Sequence, residues 1–139
     1  VQCVGRLDED TTGLLLMTDD GQFIHQMSSP KRKVPKVYEI TAKHPIDQAQ
    51  IDQLLAGVLL HGEYEPVVAD SCELVSDTVL RLTITQGKYH QVKRMLGAVG
   101  NRVEGLKRVR IGALDLPADL APGEWRWLEA EDLEKLKPA

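Results

Sequence analysis

The sequence predicts an α+β (mixed α/β) fold, with a mainly antiparallel or mixed sheet and flanking helices. Short apolar or alternating segments typical of strands are interspersed with segments of helical spacing, and the two types follow no regular alternation. The length of 139 residues is usual for one domain, and the apolar fraction of 42% is enough for a core. Because the chain has no repeat and no Pro/Ser-rich linker, we assign residues 1–139 to a single domain.

The first half of the chain is predicted to contain two strands and two helices. Strands are assigned from apolar runs or alternation, and helices from a capping Asp followed by apolar residues three and four apart. The predicted elements are a buried strand at 13–18, a helix from Asp19 or Asp20 to Met27, a strand at 36–43 with Tyr38, Ile40 and Ala42 on one face, and a helix from Asp47 to Gly57.

The second half is predicted to be richer in strands. Ser76-Asp77 lies between two alternating segments and indicates a hairpin, while Gly100-Asn101 is typical of a helix end. The predicted elements are strands at 67–74 and 78–85, a helix at 90–99, a strand-rich stretch at 102–116, a last strand at 125–128 and a terminal helix at 130–136.

Charge is distributed unevenly along the sequence. The net charge of −4 by itself argues against a nucleic-acid partner. Residues 31–43, however, carry a net charge of +4 and residues 81–112 carry +7, whereas residues 44–80 carry −7. Two basic segments separated by an acidic one suggest one basic face if both point the same way, and the alternative is that each is an ordinary solvated surface.

Cysteine content and hydropathy favour a cytoplasmic protein. Cys3 and Cys72 are too few and too far apart for a disulfide framework, so we predict two buried free thiols in a reducing compartment. No apolar run reaches the roughly 18 residues of a membrane-spanning helix. The chain begins at Val1 without Met or a signal-peptide pattern, and we expect it to be a fragment of a longer protein.

The densest polar segment, GRLDEDTTGLLL at residues 5–16, allows three interpretations. Its acids partly match a calcium-binding loop, but no helix precedes them and an apolar strand follows. In an extended segment Asp8 and Asp10 would share one side, as in a hydrolase with paired carboxylates. The structural alternative is a turn stabilised by Asp and Thr hydrogen bonds to the backbone.

Two further segments carry candidate site residues. In the predicted helix at 90–99, Lys93 borders the buried stripe and Arg94 points to solvent, so Lys93 either extends its ammonium to water or pairs with a recessed carboxylate. Tyr38 is either a core side chain or a site residue. The four histidines lack the spacing of metal ligands, and we expect no metal.

These segments together resemble the bacterial ribosomal RNA pseudouridine synthases, in particular the small-subunit branch. GRLDEDTTGLLLMTDDG is similar to the family's catalytic motif, KVYEI to its Lys-x-Tyr strand motif, and LTITQGKYHQVKRML to its third motif. The resemblance continues through GNRVEGLKRVRIG and DLAPGEWRWL and so covers essentially the whole chain.

The resemblance implies a role for individual residues. Asp8 matches the catalytic aspartate, Tyr38 the tyrosine that lies against the uracil, and Lys93 the basic residue that pairs with the aspartate. Arg6 matches the arginine that helps occupy the space left by the extruded nucleotide. The remaining residues implied as substrate or RNA contacts are Lys36, Leu82, Ile84, His90, Gln91 and Arg94, with Leu82 or Ile84 as a wall of the base pocket.

The resemblance also implies the reaction and its partner. One uridine of small-subunit (16S) rRNA would be flipped out of its RNA and isomerised to pseudouridine, with no cofactor and no metal. The Asp8 carboxylate would attack C1′ or C6, or assist glycal formation, and these routes stay open. The expected partner is ribosomal RNA, with no membrane partner, and the expected enzyme is a cytoplasmic monomer.

The sequence departs from the family pattern in two ways. The separate N-terminal RNA-binding domain and the Lys-Pro-x-Gly strand motif are absent, and Gln86 and Lys88 stand where Glu and Arg are common. Three alternatives are kept: a large-subunit (23S) enzyme of the family, a non-catalytic rRNA-binding or ribosome-assembly module, and a hydrolase with Asp10 or Asp19 beside Asp8.

Overall fold

The computed structural model describes residues 1–28, 34–86 and 90–136, and it has the predicted α+β architecture. Its strands are β1 (Gln2–Val4), β2 (Thr12–Gly13), β3 (Leu16–Thr18), β4 (Lys36–Ala42), β5 (Ser71–Leu74), β6 (Val79–Ile84), β7 (Val103–Ile111) and β8 (Leu114–Asp115). Its helices are α1 (Gly21–Ser28), α2 (Gln48–Ala56), α3 (Gln91–Ala98) and α4 (Ala130–Lys135). Among the helices of these ranges, none combines the length and the apolar character needed to cross a bilayer.

Six strands form the main sheet, in the order β2-β7-β4-β6-β5, and β8 pairs with the end of β7. Only β2 runs parallel to its neighbour, and every other pairing is antiparallel. A separate two-stranded sheet joins β1 and β3. The main sheet is therefore mixed, as the sequence predicts.

Helices α2 and α3 cover one face of the main sheet. The apolar side chains that alternate along β4, β6 and β7 meet the apolar stripes of the two helices in one core cluster. The fully buried residues of this cluster include Ile40, Leu54, Leu80, Leu82, Met95 and Leu96. Burial of each such side chain contributes about 1.5–3 kcal/mol, so this cluster fixes the position of α3 on the sheet.

A second cluster lies where the small sheet meets the end of β7. Leu14, Leu16, Ile111, Leu114 and Leu136 are all buried in it, and the apolar face of α1 packs against it. It holds the segment that follows the acidic loop against the main sheet. The continuous strand predicted at 13–18 is instead divided between β2 and β3, because its two ends pair with different sheets.

Helix boundaries follow the predicted capping residues. The Asp47 carboxylate accepts a hydrogen bond from the Gln50 amide at 2.8 Å, and the Asp20 carboxylate accepts from the Gln22 amide at 3.0 Å. Gly57 follows α2 with φ of +116°, a conformation that favours glycine. The predictions of these helix ends are confirmed.

The predicted strand at 125–128 and the predicted burial of Cys3 are both wrong. Residues 125–128 form no strand; Trp125 and Trp127 are largely exposed and contact each other edge to face, with ring centroids 5.4 Å apart. Cys3 is exposed because it lies on the outward side of a two-stranded sheet that is covered on one side only. Cys72 is half-buried, and burial raises the pKa of its thiol to about 11.

Candidate active site

The acidic segment is a tight turn at the edge of the main sheet. The Thr11 amide donates to the Asp8 carbonyl at 2.9 Å, which closes a turn through Glu9 and Asp10. The extended alternative for Asp8 and Asp10 is therefore wrong, and the segment is a turn, although the bond that closes it joins two backbone groups rather than an Asp or Thr side chain to the backbone. The chain enters β2 directly after the turn, at Thr12.

The first turn of α3 lies against this acidic turn. The Nε2 atom of His90 is 3.9 Å from Oδ2 of Asp8, and Nζ of Lys93 is 2.5 Å from Oδ1 of Asp10. His90, the residue before α3, and Lys93 in the first turn of α3 both face the acidic turn. Each of the two aspartates thus has a basic group opposite it.

The geometry of Lys93 differs from the expected pairing. Its ammonium bonds Asp10, two residues beyond Asp8, and the Lys93–Asp8 pair implied by the resemblance stays a prediction. The hydrogen bond from Lys93 and its positive charge hold the pKa of Asp10 below its usual range, against a smaller opposing effect of burial. A carboxylic acid with a lowered pKa is poorly suited to donate a proton, which disfavours the hydrolase interpretation.

Removal of the Lys93 ammonium is expected to raise the pKa of Asp10. In the Lys93→Met variant the Asp10 carboxyl should titrate at higher pH than in the parent, because its hydrogen bond and its neighbouring charge are gone. The Asp10–Lys93 contact is retained above the titration range of Asp10 and lost as the pH falls through it. Carboxyl ¹³C NMR titration of both proteins measures the shift. An unchanged Asp10 titration would contradict the observed pairing.

His90 has a strained backbone at this position. Its φ of 46° places it in the left-handed region, and it is the one non-glycine residue with positive φ in the described part of the chain. Such a conformation costs about 1 kcal/mol and is typical of functional sites. It aims the His90 side chain toward Asp8 at the beginning of α3.

The helix-covered face of the sheet forms the floor beside the turn. Tyr38 on β4 pairs with Leu82 on β6 and with Arg108 on β7, so the three side chains form one row across this face. Tyr38 is half-buried, whereas Leu82 and Arg108 are buried. Two residues along β4, Lys36 pairs with Ile84 and extends the same face.

A β-bulge in β7 places two residues of this floor. Val37 pairs with Arg110 but Tyr38 pairs with Arg108, so Val109 is the extra residue. The bulge changes the alternation of β7, and both Arg108 and Ile111 therefore face the helices. Without it, one of the two would point to the opposite face.

Some implied RNA contacts are not at the surface of this site. Gln91 is only 3% exposed and its side-chain amide lies 3.7 Å from the Met95 sulfur. The Arg94 guanidinium does not point freely to solvent as predicted; it donates to the His61 carbonyl and lies 3.9 Å from Glu63. Arg6 is exposed next to the acidic turn in sequence.

The bases of the two segments that the structure describes do not share one face. Strand alternation places Lys36 and Arg108 on the helix-covered side, with Lys93 above them on α3. Arg81 and Lys107 flank Glu39 on the opposite side of the sheet. A single face that carries all bases of both segments is therefore wrong for the described residues, because bases one residue apart on a strand point to opposite sides. Lys31, Arg32, Lys33 and Lys88 lie outside the described residues.

Arg108 is a candidate site residue that the sequence motifs do not mark. It is 2% exposed, its Nε donates to the Leu14 carbonyl at 2.8 Å, and its Nη2 is buried without a hydrogen-bond partner. A signal was present, because an arginine at an inward position between Leu106 and Ile111 interrupts an apolar pattern. No group of three His, Cys, Asp or Glu side chains that could hold a metal occurs within residues 1–28, 34–86 and 90–136.

Sequence comparisons place this geometry in a known family. The family model described as RNA pseudouridylate synthase matches residues 1–98. The chain is 48% identical over 133 residues to the ribosomal small subunit pseudouridine synthase A of Escherichia coli K12, covering 96% of this chain and 58% of that protein. The protein of the same name from Haemophilus influenzae is 46% identical over 132 residues, covering 95% of this chain and 57% of that protein. The chain thus spans under two thirds of the length of these relatives.

Solved structures agree with the sequence comparisons. A crystal structure of a pseudouridylate synthase superposes with a TM-score of 0.93 at 46% identity, covering 96% of this chain and 58% of that one. The archaeal box H/ACA sRNP Nop10-Cbf5 complex contains a chain that matches with a TM-score of 0.59 at 16% identity, which shows a common fold. The family match over most of the chain and the close superposition establish that this chain belongs to the RNA pseudouridylate synthase family.

Proposed function

We propose that this chain is the catalytic part of an enzyme that converts one uridine of small-subunit ribosomal RNA to pseudouridine. One observation carries the proposal: in a chain of this family, the half-exposed Asp8 lies on a fixed turn beside the basic first turn of α3. The relatives are named for the ribosomal small subunit, and that name supports the choice of RNA.

The proposed reaction begins with extrusion of the target uridine, because its reacting atoms are inaccessible within a base stack. Asp8 then supplies the carboxylate that acts at C1′ or C6, or that assists formation of a glycal. The N1–C1′ bond breaks, the uracil turns, and C5 bonds to C1′. Loss of the C5 proton completes an isomerisation that needs no external co-reactant.

The other side chains of the site have supporting roles in this proposal. Tyr38, half-buried and on the floor beside the turn, lies against the uracil and is the candidate for removing the C5 proton. Lys93 adds positive charge to the acidic turn through Asp10. Leu82 and Ile84 are buried on the same face, beside Tyr38 and Lys36 on the neighbouring strand, so they shape one wall of the pocket.

A non-catalytic RNA-binding module is the weaker candidate. Binding of RNA through its backbone needs exposed Lys and Arg side chains and gains nothing from three consecutive acids. Glu9 and Asp10 are exposed at the tip of the turn, where they would repel phosphates. A catalytic role for the turn accounts for this arrangement.

Mapping of pseudouridines in ribosomal RNA from a strain that lacks the gene tests the proposal. We expect one pseudouridine of the small-subunit RNA to be lost, and to return when the full-length gene is supplied on a plasmid. Loss of a large-subunit pseudouridine instead would assign the enzyme to the large-subunit branch. An unchanged map would overturn the proposed activity.

A further inference from the structure

The floor of the candidate site contains two neighbouring cations without a counter-ion. Arg108 and Lys36 lie close enough for the charge of Arg108 to contribute to lowering the pKa of Lys36, with burial as the larger cause. Neither forms an ion pair with any carboxylate in the part of the chain that the structure describes. Buried cations are ordinarily paired, and two adjacent unpaired ones are costly for stability.

The hydrogen bonding of Arg108 is also incomplete. Its Nε bonds the Leu14 carbonyl, which holds the guanidinium in place, but Nη2 is buried with no acceptor. Lys36 is half-buried and lies two residues from Tyr38 on the face that also carries Arg108, so part of its side chain is accessible to a ligand. Such an arrangement is typical of a preorganised site for an anion or for an oxygen that acquires negative charge.

The position of the pair indicates which anion it meets. Arg108 lies directly beside Tyr38 across β4 and β7, and Lys36 is two residues along the same face. This is the helix-covered side of the sheet, and Arg108 is buried there beside the residue proposed to lie against the base. RNA phosphates would remain at the mouth of such a pocket, whereas a flipped base enters it first.

We propose that Lys36 and Arg108 form an anion-stabilising floor for the uracil. Lys36 bonds a uracil carbonyl oxygen. Arg108, which does not touch the base, stabilises the negative charge that the detached base carries. This inference rests on the proposed function. When the N1–C1′ bond breaks, its electron pair stays on N1 and is shared with the carbonyl oxygens, whichever of the three proposed roles Asp8 has. The charge disappears when C5 bonds to C1′ and the C5 proton is transferred to N1.

In this proposal Arg108 is a positioning residue, and its buried, unpaired charge lowers the stability of the folded protein. A purely structural arginine would stabilise the fold, and its replacement by Met would destabilise it. A charge retained for catalysis behaves differently, because removal of an uncompensated buried charge offsets the loss of the Leu14 hydrogen bond. Stability and rate should therefore change independently in the Arg108→Met variant.

The test uses the full-length protein in single-turnover assays with saturating rRNA substrate. We expect Arg108→Met to lower the rate about 10²-fold, with an unchanged RNA Kd and a Tm no lower than that of the parent. Arg108→Lys keeps the charge and should recover most of the rate. Lys107→Met removes the same charge from the opposite face and is the control. A lowered Tm, or equal rates for Arg108→Met and Lys107→Met, would overturn the inference.

A second measurement does not depend on turnover. 5-Nitrouracil, a uracil that ionises near neutral pH, should shift the NMR signal of the Arg108 Nε–H group in the parent protein, and neutral uracil should shift it less. If the parent makes no pseudouridine but 5-nitrouracil still shifts this signal, the proposed function fails and the anion site stands. Absence of any shift would contradict the anion site whatever the assay shows.

Discussion

Pseudouridine formation is expected to be lost in the Asp8→Asn variant of the full-length enzyme. Asparagine has nearly the same shape, so the turn closed by the Thr11 amide and the Asp8 carbonyl should persist. The amide lacks the anionic oxygen that each proposed route requires, and the rate should fall at least about 10³-fold. Single-turnover conversion of rRNA measures the rate. Filter binding with the same RNA should show a Kd within about threefold of the parent value, which corresponds to a loss of about 0.7 kcal/mol of binding free energy or less.

Glu9→Gln is the matched control for this variant. It removes one negative charge from the adjacent position of the same turn, and Glu9 is exposed. Its rate should stay close to that of the parent. If both variants lost activity equally, the effect would come from the charge of the turn rather than from Asp8. Full activity of Asp8→Asn would remove Asp8 from the mechanism.

The sequence was sufficient to predict the four helices and the longer strands of the main sheet in their order. Alternation along 36–43 and the i, i+3, i+4 spacing along 90–99 predict which faces are buried, because burial is set by apolar patterning. The same patterning places Tyr38 and Leu82 on one face. The sequence motifs also predict the acidic turn and the first turn of α3 as candidate site elements, and the structure brings the two together.

What the sequence could not predict depends on registers and turns. The Lys93–Asp10 contact depends on the turn at 8–11, and a helical wheel gives a direction without a partner. The bulge at Val109 sets which bases of β7 face inward, and nothing local in that sequence marks a bulge. Arg108 consequently could not be placed beside Tyr38 until the pairing of β4 with β7 was known.

The Gly13→Ala substitution is expected to detach the acidic turn from the sheet. A Cβ atom at residue 13 would lie 2.2 Å from the Arg108 carbonyl oxygen and 2.6 Å from the Arg108 nitrogen, both of which are backbone atoms. The φ of Gly13 is +110°, which L residues rarely adopt. Because the backbone of β7 is held by β4, the strain falls on β2, and its pairing with β7 should open.

Two measurements report whether β2 detaches from β7 in the Gly13→Ala variant. The Leu14 amide, which donates to the Arg108 carbonyl at 2.8 Å, should lose its protection from hydrogen exchange. The free energy of unfolding in urea should fall by about 3 kcal/mol or more if β2 cannot open locally, and by less if it can. Activity should fall in either case, because Asp8 is carried by the same segment.

Gly97→Ala is the control, since Gly97 lies in α3 with open space around it. Alanine favours a helix over glycine by up to about 1 kcal/mol, so this variant should be as stable as the parent or more stable. Normal exchange protection of the Leu14 amide in Gly13→Ala, together with unchanged activity, would show that the close approach of β2 to β7 does not hold the turn. Loss of Leu14 protection with the other core amides unaffected would identify β2 as the element that positions Asp8.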